Sequence, residues 1–138
     1  MKILSKHWHQ PIASLDRNQI KTKIIEFLKE DCVDQDHTST TTIPQNHKST
    51  YTMEGEENII FAGTPILLEI FSDCQVKMFV KEGDQINKNQ NICEIKGPSR
   101  TILGRERVAL NLIQRLSGIA TLTNQYVKIV KKSNNPNI

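Results

Sequence analysis

Glu106-Arg107-Val108-Ala109-Leu110-Asn111-Leu112-Ile113-Gln114-Arg115-Leu116-Ser117-Gly118-Ile119-Ala120-Thr121 is the stretch whose periodicity organises the chain. At about 100° per residue, Ala109, Leu112, Ile113, Leu116 and Ala120 fall on one side of a helix. Arg107, Asn111, Gln114 and Gly118 fall on the other. A structural helix ordinarily mixes Lys and Glu on its wet face, whereas this stripe carries one Arg, two amides and a Gly. Such a face is either plain solvated surface or a polar contact surface for a ligand or another subunit. Arg is the side chain suited to grip a planar carboxylate through two parallel hydrogen bonds.

Working outward, Gly97-Pro98-Ser99 opens this helical stretch, which extends to about Lys131, with Leu103 and Leu110 adding to the apolar positions and Gly118 expected to kink or break it. Upstream, residues 16–29 read as a helix: Asp16 is an N-cap, Gln19 suits a capping box, and Ile20, Ile24, Phe27 and Leu28 share a face. Glu30 to Pro44 reads as a polar loop in which the consecutive Thr/Ser positions 38–42 resist helix formation. Thr50–Met53, Asn58–Ala62, Gln75–Val80 and Asn91–Ile95 read as strands. Gly63-Thr64-Pro65 opens a helix over about 65–72 with Thr64 as cap, and Glu82-Gly83-Asp84 marks a turn. These pieces give an α+β class: a small, mostly antiparallel sheet with helices in residues 1–97, followed by linking helices in residues 98–138.

Composition narrows the functions. The 138 residues are 37% hydrophobic and 24% charged, enough for a packed core. A net charge of +3 and 5% aromatic residues supply neither a basic field nor a stacking platform for nucleic acid. No stretch reaches the roughly 18–20 apolar residues of a membrane span. The first ten residues have neither an apolar core nor a cleavage site, so a cytoplasmic location is expected. Cys32, Cys74 and Cys93 are widely spaced without a C-x-x-C, which predicts reduced, buried thiols.

Other constellations are weaker. His7 and His9 lack a third metal ligand. His37, beside Asp34 and Asp36, reads as an exposed loop residue, and Thr38 as loop-shaping. Ser117-Gly118 is no nucleophile elbow, because no strand–turn–helix surrounds it, and Gly118 reads as a helix-packing residue. Glu106 is expected in a structural ion pair with Arg105 or Arg115, and Asn111 as a cap or bridge between helices. Residues 76–97 are similar to half of a biotinyl or lipoyl carrier domain, but neither Lys77 nor Lys96 has the setting of a modified hairpin-tip lysine.

The run Glu106-Arg107-Val-Ala-Leu-Asn111, then Gln114-Arg-Leu-Ser-Gly-Ile-Ala-Thr121 and Thr123, resembles the signature of the quinolinate phosphoribosyltransferase family. Glu30-Asp31, Asp36-x-Thr38-Ser39, Ile43-Pro44, Phe61-Ala62-Gly63, Glu82-Gly83-Asp84, Gly97 and Leu103 match it upstream, so the likeness covers about residues 16–130. Val33 and Gln35 stand where the family usually carries glycines. The family's Asp-Thr-Arg-Lys-Thr motif and its α/β barrel are not among these residues.

The resemblance implies a reaction of quinolinate with phosphoribosyl pyrophosphate and Mg²⁺, giving nicotinate mononucleotide, pyrophosphate and CO2 in NAD biosynthesis. It implies that Arg107 reaches quinolinate in the neighbouring subunit of a homodimer or higher homo-oligomer. The catalytic residues and the residues around the metal are expected outside this chain, which alone is expected to be inactive. Two alternatives are a paralogue of the same fold of the molybdenum-transport-associated type, and a non-catalytic interaction module from a split or truncated gene. An apolar patch around residues 102–120 is expected to be exposed where no barrel covers it.

Overall fold

Asp16 starts the first helix as its residue type predicts: its carboxylate accepts the Asn18 N–H at 2.8 Å, and helix α1 runs Arg17–Glu30. The reciprocal capping-box bond from Gln19 is not formed. A computed structural model of the protein describes residues 15–31 and 41–132. His7, His9, Cys32, Asp34, Asp36, His37, Thr38 and the tail from Ser133 lie outside the described residues. Of the Thr/Ser run, Thr41 and Thr42 are helical rather than loop, and Ile43-Pro44 ends that turn.

Strand β1 spans Lys48–Glu54, β2 Ile59–Ile60, β3 Gln75–Met78, β4 Gln85–Ile86 and β5 Asn91–Pro98. Helix α2 is Thr64–Ile70, and α3 is Ser99–Lys132. The strands β1, β5 and β3 form one antiparallel sheet in that order, and β2 pairs antiparallel with β4 in a second. The alternation in β1 sets which face is covered: Ser49, Tyr51 and Met53 turn inward and Lys48, Thr50, Thr52 and Glu54 outward. Tyr51 lies opposite Ile95 and Met53 opposite Cys93. The register then slips, leaving Ile92 as an extra residue on β5, so that the adjacent Ile92 and Cys93 are both buried. Strand β4 was not legible from Gln85-Ile86, because two residues are too few for an alternation.

The core gathers Phe61, Leu67, Ile70, Phe71, Ile86, Cys93 and Ile95 with Ile24 of α1 and Ile102, Val108, Ala109 and Ile113 of α3. Helix α3 therefore packs its first half against β2, β5, α1 and α2, across the sequence position where the α+β segment gives way to the helical one. Beyond Thr121 no residue of α3 is buried. The break expected at Gly118 does not occur, and the helix is continuous over 34 residues. A glycine weakens a helix by about 1 kcal/mol but keeps its N–H, unlike proline. Neither is Gly118 a packing residue: it is exposed, and a Cβ built there meets nothing within 4 Å.

Helix α2 departs from its expected cap. Gly63, at φ 123°, is the N-cap, and the orphan amides of Gly63 and Thr64 are taken by the Glu82 carboxylate at 2.8 and 2.9 Å. The Thr64 hydroxyl is buried without a hydrogen-bond partner. A side chain from the Glu82-Gly83-Asp84 turn thus does the capping from 18 residues downstream. Asp84 closes the same turn by accepting the Lys81 N–H at 2.8 Å.

Candidate functional site

The wet face of α3 is where the sequence places it. Arg107, Asn111, Gln114 and Gly118 are all exposed, while Ala109 and Ile113 are buried and Leu112, Leu116 and Ala120 half-buried on the other side. The Arg107 side chain is 77% exposed, and its nearest carboxylate is Asp31, Nη1 to Oδ1 3.9 Å. That separation exceeds hydrogen-bond range. The guanidinium therefore sits in the field of one acid while its N–H fork stays free to take a planar anion. Asp31 is held in place as the C-cap of α1, where its backbone N–H donates to Phe27 O and Lys29 O. Sequence reading placed Asp31 in a polar loop and, with Glu30, among the segments that match the family, but not beside Arg107. The pairing joins residues 76 positions apart (107 minus 31), and no local pattern signals it.

Two hydroxyls on α3 set the height and rotation of that face. Thr121 Oγ1 accepts the Ile60 N–H at 2.8 Å, and Ser117 Oγ accepts the Ala62 N–H at 3.2 Å. Thr121 in turn donates to Ser117 O at 2.7 Å. One helical turn apart, these residues satisfy amides along β2 and the segment after it, so the helix serves as an edge partner for β2. Ser117 is 1% exposed, which removes it from any nucleophilic role. At the other end of α3 the buried Ser99 bonds Ser49 Oγ and His47 Nδ1, each at 2.8 Å, fastening the helix start to β1. His47 was not singled out by sequence because Ser99, its partner on α3, lies 52 residues away.

Several expected partners change. Glu106 is exposed, and neither Arg105 nor Arg115 pairs with it. Arg105 instead binds Asp73 with both Nη atoms, at 2.6 and 3.1 Å, and donates to Ile70 O at 2.8 Å. The bulk of α2 ends there, and Arg105 closes its last turn. Asn111 bridges to no other helix among the described residues. Lys77 and Lys96 lie within β3 and β5 rather than at a hairpin tip, and Lys77 Nζ sits 5.3 Å from the Phe79 ring centroid, so the carrier-domain likeness ends at the strand pattern.

Three grooves flank α3: one of about 440 Å³ that Gln114 lines together with the end of β1 and the turn after it, and two of about 350 Å³, one against β1 and one, nearly all apolar, against α1. Arg107 lines none of the three. The exposed apolar surface lies further along α3 than expected, at Ile119, Leu122, Tyr126, Val127 and Ile129, because the domain's own sheet and α1 cover much of the 102–116 turns. Among the described residues no group of three or more His, Cys, Asp or Glu side chains is arranged to hold a metal ion. Cys74 and Cys93 are free thiols. No described helix is long and apolar enough to cross a membrane.

Residues 36–117 match the family model described as quinolinate phosphoribosyl transferase, N-terminal domain. The chain is 39% identical over 114 residues to a probable nicotinate-nucleotide pyrophosphorylase (carboxylating) of Bacillus subtilis, covering 80% of this chain and 39% of that one. It is 37% identical over 99 residues to a protein of the same description in Methanocaldococcus jannaschii, covering 72% of this chain and 35% of the other. Among solved structures, the nicotinate-nucleotide pyrophosphorylase of Francisella tularensis superposes with a TM-score of 0.83 at 28% identity, over 90% of this chain and 45% of that one. The chain thus spans 35–45% of the length of these relatives.

Proposed function

The chain belongs to the quinolinate phosphoribosyl transferase family, and from that premise we propose that it serves as the N-terminal part of an enzyme joining quinolinate to phosphoribosyl pyrophosphate. In that reaction the pyridine nitrogen forms a bond to the ribosyl carbon as pyrophosphate departs with the bonding pair. The ring carboxylate next to the nitrogen leaves as CO2, its bonding electrons stay on the ring carbon, and a proton takes its place. The product, nicotinate mononucleotide, serves NAD biosynthesis. Mg²⁺ accompanies the phosphoribosyl donor, held outside the described residues, and the cytoplasm is the proposed location.

This chain's contribution is Arg107. A pyridine dicarboxylate is a dianion, and a guanidinium brought over it in a site shielded from water supplies charge-assisted hydrogen bonds about twice as strong as neutral ones. The single observation that carries the reading is the 77% exposure of Arg107 on the face opposite the core, with only a 3.9 Å contact to Asp31. From that face it reaches outward, toward quinolinate held in a neighbouring subunit, and not into its own domain. The test is the Arg107→Ala variant in the assembled enzyme. KM for quinolinate rises while KM for phosphoribosyl pyrophosphate stays put. An unchanged KM for quinolinate refutes the assignment.

A further inference from the structure

The strand order β1-β5-β3 leaves β1 at a sheet edge, and among the described residues no strand pairs with its outer side. A seven-residue free edge is a template for another chain unless its side chains forbid pairing. Those of β1 favour one particular partner. Laid antiparallel to itself about Tyr51, the segment Lys48-Ser49-Thr50-Tyr51-Thr52-Met53-Glu54 places Lys48 opposite Glu54, Ser49 opposite Met53 and Thr50 opposite Thr52.

We propose that β1 pairs with β1 of a second copy of this chain across a two-fold axis at Tyr51, joining the two three-stranded sheets into one. Lys48, Thr50, Thr52 and Glu54 are all exposed and share one face. In the paired arrangement that face carries a Lys–Glu pair at each end and two Thr–Thr pairs between them. Opposite-charge and Thr–Thr pairs directly across an antiparallel ladder are the kind that stabilise it. A parallel pairing in the same register would set Lys48 against Lys48 and Glu54 against Glu54, so the charges also choose the direction. On the inner face, Ser49, Tyr51 and Met53 are only half-buried, and the groove of about 350 Å³ beside them runs between β1 and Glu106, Ala109 and Leu110 of α3. The partner's Tyr51 and Met53 are the side chains an added antiparallel strand would lay over that groove, because inward positions stay inward across the axis.

Sedimentation equilibrium on the wild-type chain, Lys48→Glu, Glu54→Lys and the double variant tests this, with circular dichroism confirming that each folds. Each single reversal sets like charges opposite at both ends and is expected to weaken the dimer about tenfold or more. The double variant restores opposite charges and is expected to recover the wild-type dissociation constant. A wild-type chain that stays monomeric into the millimolar range overturns the proposal. Equal association in all four proteins also overturns it, by assigning self-association to another surface such as the apolar end of α3. Singles that dissociate without recovery in the double variant overturn the Tyr51-centred register.

Discussion

Thr121 Oγ1 accepts the Ile60 N–H at 2.8 Å, so a side chain of α3 occupies the place a neighbouring strand would take beside β2. Ser117 does the same for Ala62 one helical turn earlier. Together they fix the rotation of α3 about its own axis, and with it the outward direction of Arg107. Thr121→Val and Ser117→Ala each leave an amide in a half-buried segment without its acceptor. Each is expected to lower stability by about 1–3 kcal/mol. Urea denaturation should show a lower midpoint with an unchanged slope.

Glu82 holds the start of α2 from a distant turn through two amide hydrogen bonds. Glu82→Ala is expected to cost about 1–3 kcal/mol, with Glu82→Gln milder because one acceptor oxygen remains. Hydrogen exchange should quicken at the first amides of α2 before the sheet is affected.

Gly63 combines φ 123° with a built Cβ only 2.5 Å from Ile113 Cδ1. Gly63→Ala therefore meets both backbone strain and a clash with the core face of α3, and is expected to destabilise by about 2–4 kcal/mol. Adding Ile113→Val relieves the clash but not the strain. Thermal melts should show partial recovery in the double variant, and full recovery would contradict the role of the backbone conformation.

Complete burial pushes the Cys93 thiol up from its ordinary 9.0 to about 11, and Cys74 is raised in the same direction, first by burial and then by the neighbouring Asp73. A folded-state value above the unfolded one means that the unfolded chain releases the proton more readily. The stabilising contribution is whole below about pH 9 and is lost as pH rises toward about 11. Cys93 should resist alkylation at pH 8 in the folded chain and react on unfolding. Prompt native-state labelling would contradict its burial.

Ile119, Leu122, Tyr126 and Ile129 recur at three- and four-residue spacing on the exposed half of α3, each more than half exposed. Leu122→Glu with Ile129→Glu should reduce binding of an apolar dye without lowering stability, since neither side chain is buried. A marked loss of stability would mean that these residues pack within the domain.

The sequence carried the strongly periodic parts well. Helices α1 and α3, the main strands and the polar face around Arg107 lie where the spacing of apolar residues puts them, because each pattern repeats over enough turns or pleats to be read locally. What escaped was long-range. The capping of α2 by Glu82, the Arg105–Asp73 pair, the Ser99–His47 contact and the approach of Asp31 to Arg107 join residues that are 18 or more positions apart. Gly118 was misjudged for a related reason: a glycine in a helix suggests a close neighbour, yet only the folded surroundings reveal whether one is there.

Helix α3 is clasped by the domain as far as Thr121 and runs on from there with no buried residue, which makes it a lever. From Thr121 to Lys132 the projecting arm is about 16 Å long at about 1.5 Å per residue. A tilt of about 10° at the clasped end would swing its tip by about 3 Å over that length. Whatever seats on the far end can therefore sense, as a displacement, a small rotation of the surface that bears Arg107.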